Sequence, residues 1–376
     1  MSMKSFTIKA AKWGLAALAL VIVLAGAVFA VLQTPWGKAR LIEAVQSASR
    51  VGGVPTVHIE GLTGLLPFDF AVGAIELRDR EGPWLRIEAL DFRLGSVWPL
   101  FAGKLQVEHC RAAELRILRA AVSEPEAAPE EPGDPLKAVE DLLSRLAVGE
   151  LRIERLSLQE AVMGEPAVFA LDGALGEAGA ERGCGIRILF ERVDDGPATR
   201  LEGEAFVRPD AERLRVAFVF HEDPGGLLGK MASLPLPEGI EIRMEGDGAM
   251  DAWKGRLSAG AGSWGSAAFQ LGLEIADAAR LTLEGVLQPG DGVLPAEWAG
   301  WYPKAPEIAA AVRMDGLDKA VIDHLRIDTG ALHLEGAGSF DLGKRRMEAD
   351  FDLLAPDLSP LDALTGGGPK GRLTLS

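Results

Sequence analysis

The sequence predicts a mostly β fold of one-sided antiparallel strands, preceded by one membrane-spanning helix and interrupted by a few short amphipathic helices. Three observations predict it. From about Thr56 to Ser376, short runs alternate apolar with charged or small residues, as Leu214, Val216, Phe218 and Phe220 do with Arg213, Arg215, Ala217 and Val219. A period of two puts the two sets on opposite faces of a sheet. Gly, Pro and Asp-Gly punctuate these runs, and an uncharged apolar stretch stands before them.

That stretch comes first in chain order. Lys4, Lys9 and Lys12 precede Trp13 to Leu32, whose apolar residues include Trp13, Leu15, Leu18, Leu20, Val21, Ile22, Val23, Leu24, Val28, Phe29, Val31 and Leu32. About 20 such residues span a hydrocarbon core. Ala25-Gly26-Ala27 is also an acceptable cleavage site, but the apolar run continues past it, which favours a retained anchor. The three lysines before the span favour an inner amino terminus and place the bulk of the chain outside the cytoplasm.

Thr34 caps and Pro35 opens a short helix expected over 35–50. Strands follow over 56–119, where Leu85 and Ile87 lie in one phase and Leu90, Phe92 and Leu94 in the other, implying a bulge or turn near Ala89. Residues 120–134 form an acidic loop ending in the cap Asp134, and Leu136, Val139, Leu142, Leu143 and Leu146 then follow at helical spacing to Ala147. Such a helix either plugs the mouth of the sheet or packs on a core.

Strands resume from Gly149, broken at 224–237 by a helical turn or two around Leu227, Leu228, Met231 and Leu234. Asp172-Gly173, Asp195-Gly196, Asp247-Gly248, Asp291-Gly292 and Asp315-Gly316 read as tight hairpin turns. Leu-Glu-Gly recurs at Leu201, Leu283 and Leu334, at unequal spacing. The expected segments are therefore 1–33 as tip and anchor, 34–119 as a first sheet segment, 120–148 as loop and helix, and 149–376 as the continuing sheet.

A net charge of -16 and a pI near 4.9 repel phosphate backbones, so no nucleic-acid partner is expected. Cys110 and Cys184 are too few to staple the fold, and the sequence leaves open whether they pair. His58, His109, His221, His324 and His333 form no metal motif and read as surface or edge residues. Ala261-Gly262-Ser263-Trp264-Gly265 lacks the first glycine of a nucleophile elbow, and Gly246-Asp247-Gly248 lacks the third of a dinucleotide fingerprint. No enzyme activity, metal or cofactor is expected.

The open question is what covers the apolar side of about 18 strands. At about 25 cal/mol per Å², leaving 1,000 Å² bare forfeits about 25 kcal/mol, more than a domain's usual net stability. Two sheets packed face to face, a closed barrel, or a curved open sheet holding lipid would each answer it.

Thr34-Pro35-Trp36-Gly37 after a membrane span resembles the start of the TamB family, within the wider AsmA-like group. So do Gly82-Pro83-Trp84-Leu85 followed by Trp98-Pro99-Leu100 and Gly103-Lys104-Leu105, and Leu236-Pro237-Glu238-Gly239-Ile240 continuing through Gly246-Asp247-Gly248 to Trp253-Lys254-Gly255. The resemblance implies an elongated, taco-like antiparallel β-groove, anchored as a single pass in a bacterial inner membrane and lying in the periplasm. Its floor would shield phospholipid acyl chains moving toward the outer membrane and support outer-membrane protein assembly within the translocation and assembly module.

On that reading the lining residues are Leu214, Val216, Phe218, Phe220, Ile240, Ile242, Met244, Phe269, Leu271, Leu273, Leu325, Ile327, Leu332 and Leu334. No catalytic residue or cofactor comes with it. Family members are typically longer and end in a domain that meets the outer-membrane protein TamA. This chain stops at Leu373-Thr374-Leu375, so it is expected to be an amino-terminal part or a short relative, with any TamA contact lying elsewhere. A chaperone or scaffold for β-barrel clients working through strand edges, and a periplasmic spacer, are the alternatives.

Overall fold

A computed structural model describes residues 29–51, 54–122, 145–177, 184–208, 212–231, 236–275, 279–291, 293, 301–315, 319–341, 346–357 and 373–375. The chain enters through helix α1 (Pro35–Ala48), where Thr34 Oγ1 accepts from the Gly37 N–H. The helix stops two residues short of the expected end, because Arg50 belongs to a small ladder of β1 (Arg50–Val51) with β2 (Val54–Pro55). Next come β3 (Val57–Glu60), β4 (Thr63–Leu65), β5 (Asp69–Asp79), β6 (Gly82–Ser96) and β7 (Leu105–Ile117).

After a long connection follow β8 (Leu146–Leu158), the short helix α2 (Glu160–Met163), β9 (Ala167–Glu177), β10 (Cys184–Arg192), β11 (Thr199–Arg208) and β12 (Arg213–Glu222). Helix α3 (Leu227–Met231) precedes β13 (Ile240–Ala249), β14 (Trp253–Gly260), β15 (Gly265–Ile275) and β16 (Ala279–Pro289). The series ends with β17 (Glu307–Asp315), β18 (Lys319–Asp328), β19 (His333–Asp341), β20 (Arg346–Ala355) and β21 (Leu373–Leu375).

One long, curved, open sheet, 18 strand positions across, holds β3 to β21. β3 and β4 lie end to end on one edge of β5, and every later strand pairs with the next in chain order. The strand order curls round to bring β21 toward the side of β3, and no residue register joins those two among the described residues. A single continuous sheet excludes two separate sheets packed face to face.

The expected antiparallel order holds except at one place. β7 and β8 run parallel, with Leu105 beside Leu146 and Ile117 beside Leu158. Parallel neighbours need a crossover from one end of the sheet to the other, and the connection between β7 and β8 supplies it. The helix expected in that connection lies largely outside the described residues, but its last two residues, Leu146 and Ala147, are strand residues of β8.

The expected irregularity at Ala89 is real and wider than the sequence showed. Ala89 has φ of 50°. Val72 and Ala74, Leu90 and Glu88, Ala112 and Glu114, and Ile153 and Arg155 pair in register across it, so β5 to β8 each spend one extra residue at the same level. The shift ends between β8 and β9, where the register slips between Ile153 and Leu156. Because all four strands flip phase together, the apolar side stays on one face.

Two rims result. Longer connections, including α2 and α3, gather at one rim, here the loop rim; shorter turns gather at the other, the turn rim. Helix α1 lies along the first edge between them. At the turn rim Gln33 and Leu66 exchange two hydrogen bonds and Lys38 Nζ donates to the Gly64 carbonyl; at the loop rim the Thr56 N–H donates to the Ser49 carbonyl. A helix on an edge strand blocks pairing by another chain.

No helix among the described residues is long and apolar enough to cross a membrane. Of the expected anchor, Trp13, Leu15, Leu18, Leu20, Val21, Ile22, Val23, Leu24 and Val28 lie outside the described residues; Phe29, Val31 and Leu32 belong to the helical turn leading into α1.

Candidate functional site: a one-sided apolar face

Register transmits the face from strand to strand, since residues directly opposite in a ladder share a side. Starting at Ile153, the chain of partners runs through Leu171, Phe190, Leu201 and Phe220 to Ile242, and beside it Ile75, Ile87, Leu115, Leu156 and Phe169 are partners in turn until Arg192 stands opposite Phe169 in β10. A second row runs from Val216 through Gly246, Gly255, Leu271, Leu283, Ala310, Leu325 and Gly336 to Phe351. The rows from Ile153 and from Val216 are wholly apolar.

Thirteen of the expected lining residues share this face: Leu214, Val216, Phe218, Phe220, Ile240, Ile242, Met244, Phe269, Leu271, Leu273, Leu325, Ile327 and Leu334. Leu332 does not belong to a strand. It sits in the turn before β19, its N–H donating to Thr329 Oγ1.

The face is built on glycine and aromatic pairs. In each Leu-Glu-Gly, the Leu and Gly point to this face and the Glu to the other, and each Gly lies opposite an aromatic: Gly203 opposite Phe218, Gly285 opposite Phe269, Gly336 opposite Phe351. A Cβ on Gly336 would come within 2.3 Å of the Phe351 ring, and one on Gly285 within 2.6 Å of the Phe269 ring. Trp253 fills a larger version of the same cradle. A Cβ on Gly246 or Gly255 would come within 2.1 or 2.4 Å of its indole, which is 4% exposed.

Two of the Asp-Gly pairs expected as turns are therefore strand interiors. Asp172-Gly173 and Asp247-Gly248 put glycine on the apolar face and aspartate on the polar one, where Asp172 meets Arg152 and Asp247 meets Arg213 at 2.7 Å. Asp195-Gly196 does lie in a turn, between β10 and β11. Periodicity outranks the dipeptide when a charge pair waits across the strand.

At the loop rim the face is closed over. Ala167, Phe169 and Leu227 are buried together with Leu156, Leu158, Met163 and Phe190 packed around them, and the Phe169 and Phe190 rings stack at 4.3 Å. Helix α3 is held there by Glu222, 2% exposed, whose carboxylate accepts from the Leu228 and Gly229 N–H groups and from Thr199 Oγ1. Lys230 on α3 reaches Glu165 beyond α2 at 2.5 Å, and Arg192, on the apolar face, binds Asp194 at 2.6 Å. Elsewhere the face is bare enough to leave Ile186, Leu281 and Leu287 about 40% exposed and Met347 67% exposed.

The opposite face carries charge in ladders that composition alone did not reveal. Arg111 and Glu150 form a two-bond pair, and Arg116 with Ser157 holds the Glu114 carboxyl below its ordinary range. A shallow depression crosses β10 to β16 on this side, lined by Arg187, Glu204, Arg243, Glu245, Arg256 and Gln270. His109 also lies on this side, but it is buried rather than a surface residue, 3.0 Å from Asp91. Its neighbour Cys110 faces the apolar side, where burial, with the Asp91 charge adding to it, raises its thiol pKa; both cysteines are free.

Among the described residues no cluster of His, Cys, Asp and Glu is placed to hold a metal ion. Comparison with family models, curated proteins and solved structures returns no match for this chain.

Proposed function

We propose that the apolar face is a passive, non-enzymatic conduit for phospholipid acyl chains, in a protein anchored in a bacterial inner membrane and lying in the periplasm. One observation carries the proposal: a face that register keeps apolar across the sheet, with Arg192 and Glu222 confined to the loop rim where it is closed over, and exposed across β10, β16 and β20. At about 4.8 Å per strand the face extends about 85 Å around its curve. Each methylene kept out of water is worth about 0.8 kcal/mol, so a continuous apolar track lowers the cost of moving an acyl chain without any chemical step.

The resemblance to the TamB family supports a direction toward the outer membrane and a role in assembling outer-membrane proteins. Charge on the other face keeps the two sides distinct and water-facing on one of them.

Mass spectrometry of the purified full chain tests this. Co-purified phospholipid is the expected result, and Leu281→Asp with Leu287→Asp should remove most of it while leaving the β-sheet circular dichroism unchanged. Both positions are about 40% exposed, so the substitutions disturb the face and not a packed core. A folded wild type carrying no lipid would sink the proposal.

A further inference from the structure

The turn rim beside α1 concentrates exposed apolar groups that the strand pattern does not require. A 3-10 turn, Trp98–Ala102, joins β6 to β7, and within it Trp98 is 78% and Leu100 40% exposed. Trp36 on the first turn of α1 is 64% exposed, Leu65 at the end of β4 is 46% exposed and Val31 is 45% exposed. These belong to one surface. The Leu94 N–H, near the end of β6, donates to the Phe68 carbonyl in the β4–β5 turn, while Gln33 and Lys38 tie the start of α1 to Leu66 and Gly64.

Two further observations fix the occupant. The first is charge: Lys38 and Lys104 belong to this rim, where Arg93 lies 3.0 Å from Asp69 and 4.0 Å from Glu108, and Arg40 lies 2.6 Å from Glu43, so the basic side chains outnumber the acidic ones. In a chain of net charge -16 this is a locally basic, aromatic patch. The second is position. The Phe29 ring lies 5.8 Å from that of Phe68, so the apolar, lysine-led segment at 1–28 joins the described chain at this rim. Exposed Trp beside Lys is the chemistry of the headgroup and acyl boundary, where indole is partly apolar and ammonium meets anionic lipid.

We propose that this rim, with Trp98 and Trp36 as aromatic anchors and Lys38 and Lys104 as basic contacts, docks onto the surface of a phospholipid bilayer. It sets one end of the sheet against the membrane, independently of what the apolar face carries.

The full chain reconstituted in phosphatidylcholine vesicles, with and without phosphatidylglycerol, provides the test. Lipids brominated near the glycerol should quench tryptophan emission, and Trp98→Phe should remove part of the quenched component. Trp264→Phe, in the turn Gly262–Trp264 at the opposite rim, should leave it unchanged. Lys38→Gln and Lys104→Gln should each weaken docking to anionic vesicles by about fivefold. Equal quenching in wild type and Trp98→Phe would overturn the proposal, whether the rim then faces water or a protein partner.

Discussion

Glycine under an aromatic ring is the residue-scale device of this protein. Gly246 has only the Trp253 indole above it, so a methyl group there must push the ring from its cradle. Gly246→Ala is expected to cost about 1–3 kcal/mol, and Trp253→Leu in the same chain should recover much of that; thermal unfolding of the single and double variants measures it. Glu222 is the second such device, and Glu222→Ala leaves the α3 N–H groups and Thr199 without their acceptor. A loss of about 3 kcal/mol, with faster hydrogen exchange at Leu228 and Gly229, is expected. A third concerns pH. Arg119, with the Val122 N–H, holds the Asp79 carboxyl far below its ordinary value of 3.8. The folded group then titrates lower than the unfolded one, so its stabilisation is complete above that value and is lost as pH falls below it. Asp79→Asn should flatten the acid limb of a stability–pH profile by lowering stability across the neutral region, leaving the acid end little changed.

At the scale of elements, the strands were legible because one face is apolar and the other charged: the run 214–220, the cap at Thr34 and the phase change at Ala89 can each be read from residue type. The parallel contact of β7 with β8 was not. Alternation reports which way a side chain faces and nothing about which strand lies beside it or in which direction. For the same reason Leu332 fitted the period while belonging to a turn, and His109 read as surface while packed beneath its neighbours. The lining set was largely legible, whereas the closure by α2 and α3 depends on contacts between segments far apart in sequence, such as Leu227 with Phe169. Thr34→Ala removes the bond to Gly37 and is expected to lower the stability of α1 by about 1 kcal/mol, read as faster exchange along the first edge.

For the whole molecule, the consequence is asymmetry: a single sheet with one apolar side, closed over at the loop rim and carrying exposed Trp36 and Trp98 at the turn rim. The account stands or falls on whether acyl chains occupy that side. Photo-crosslinking with benzoylphenylalanine at adjacent positions separates the faces, because Phe218 and Val219 in β12 differ by one residue and point to opposite sides. Lipid adducts at Phe218, and at Leu281, with none at Val219 are the predicted result. Equal labelling at Phe218 and Val219, or none at either in a folded, membrane-bound chain, would contradict it.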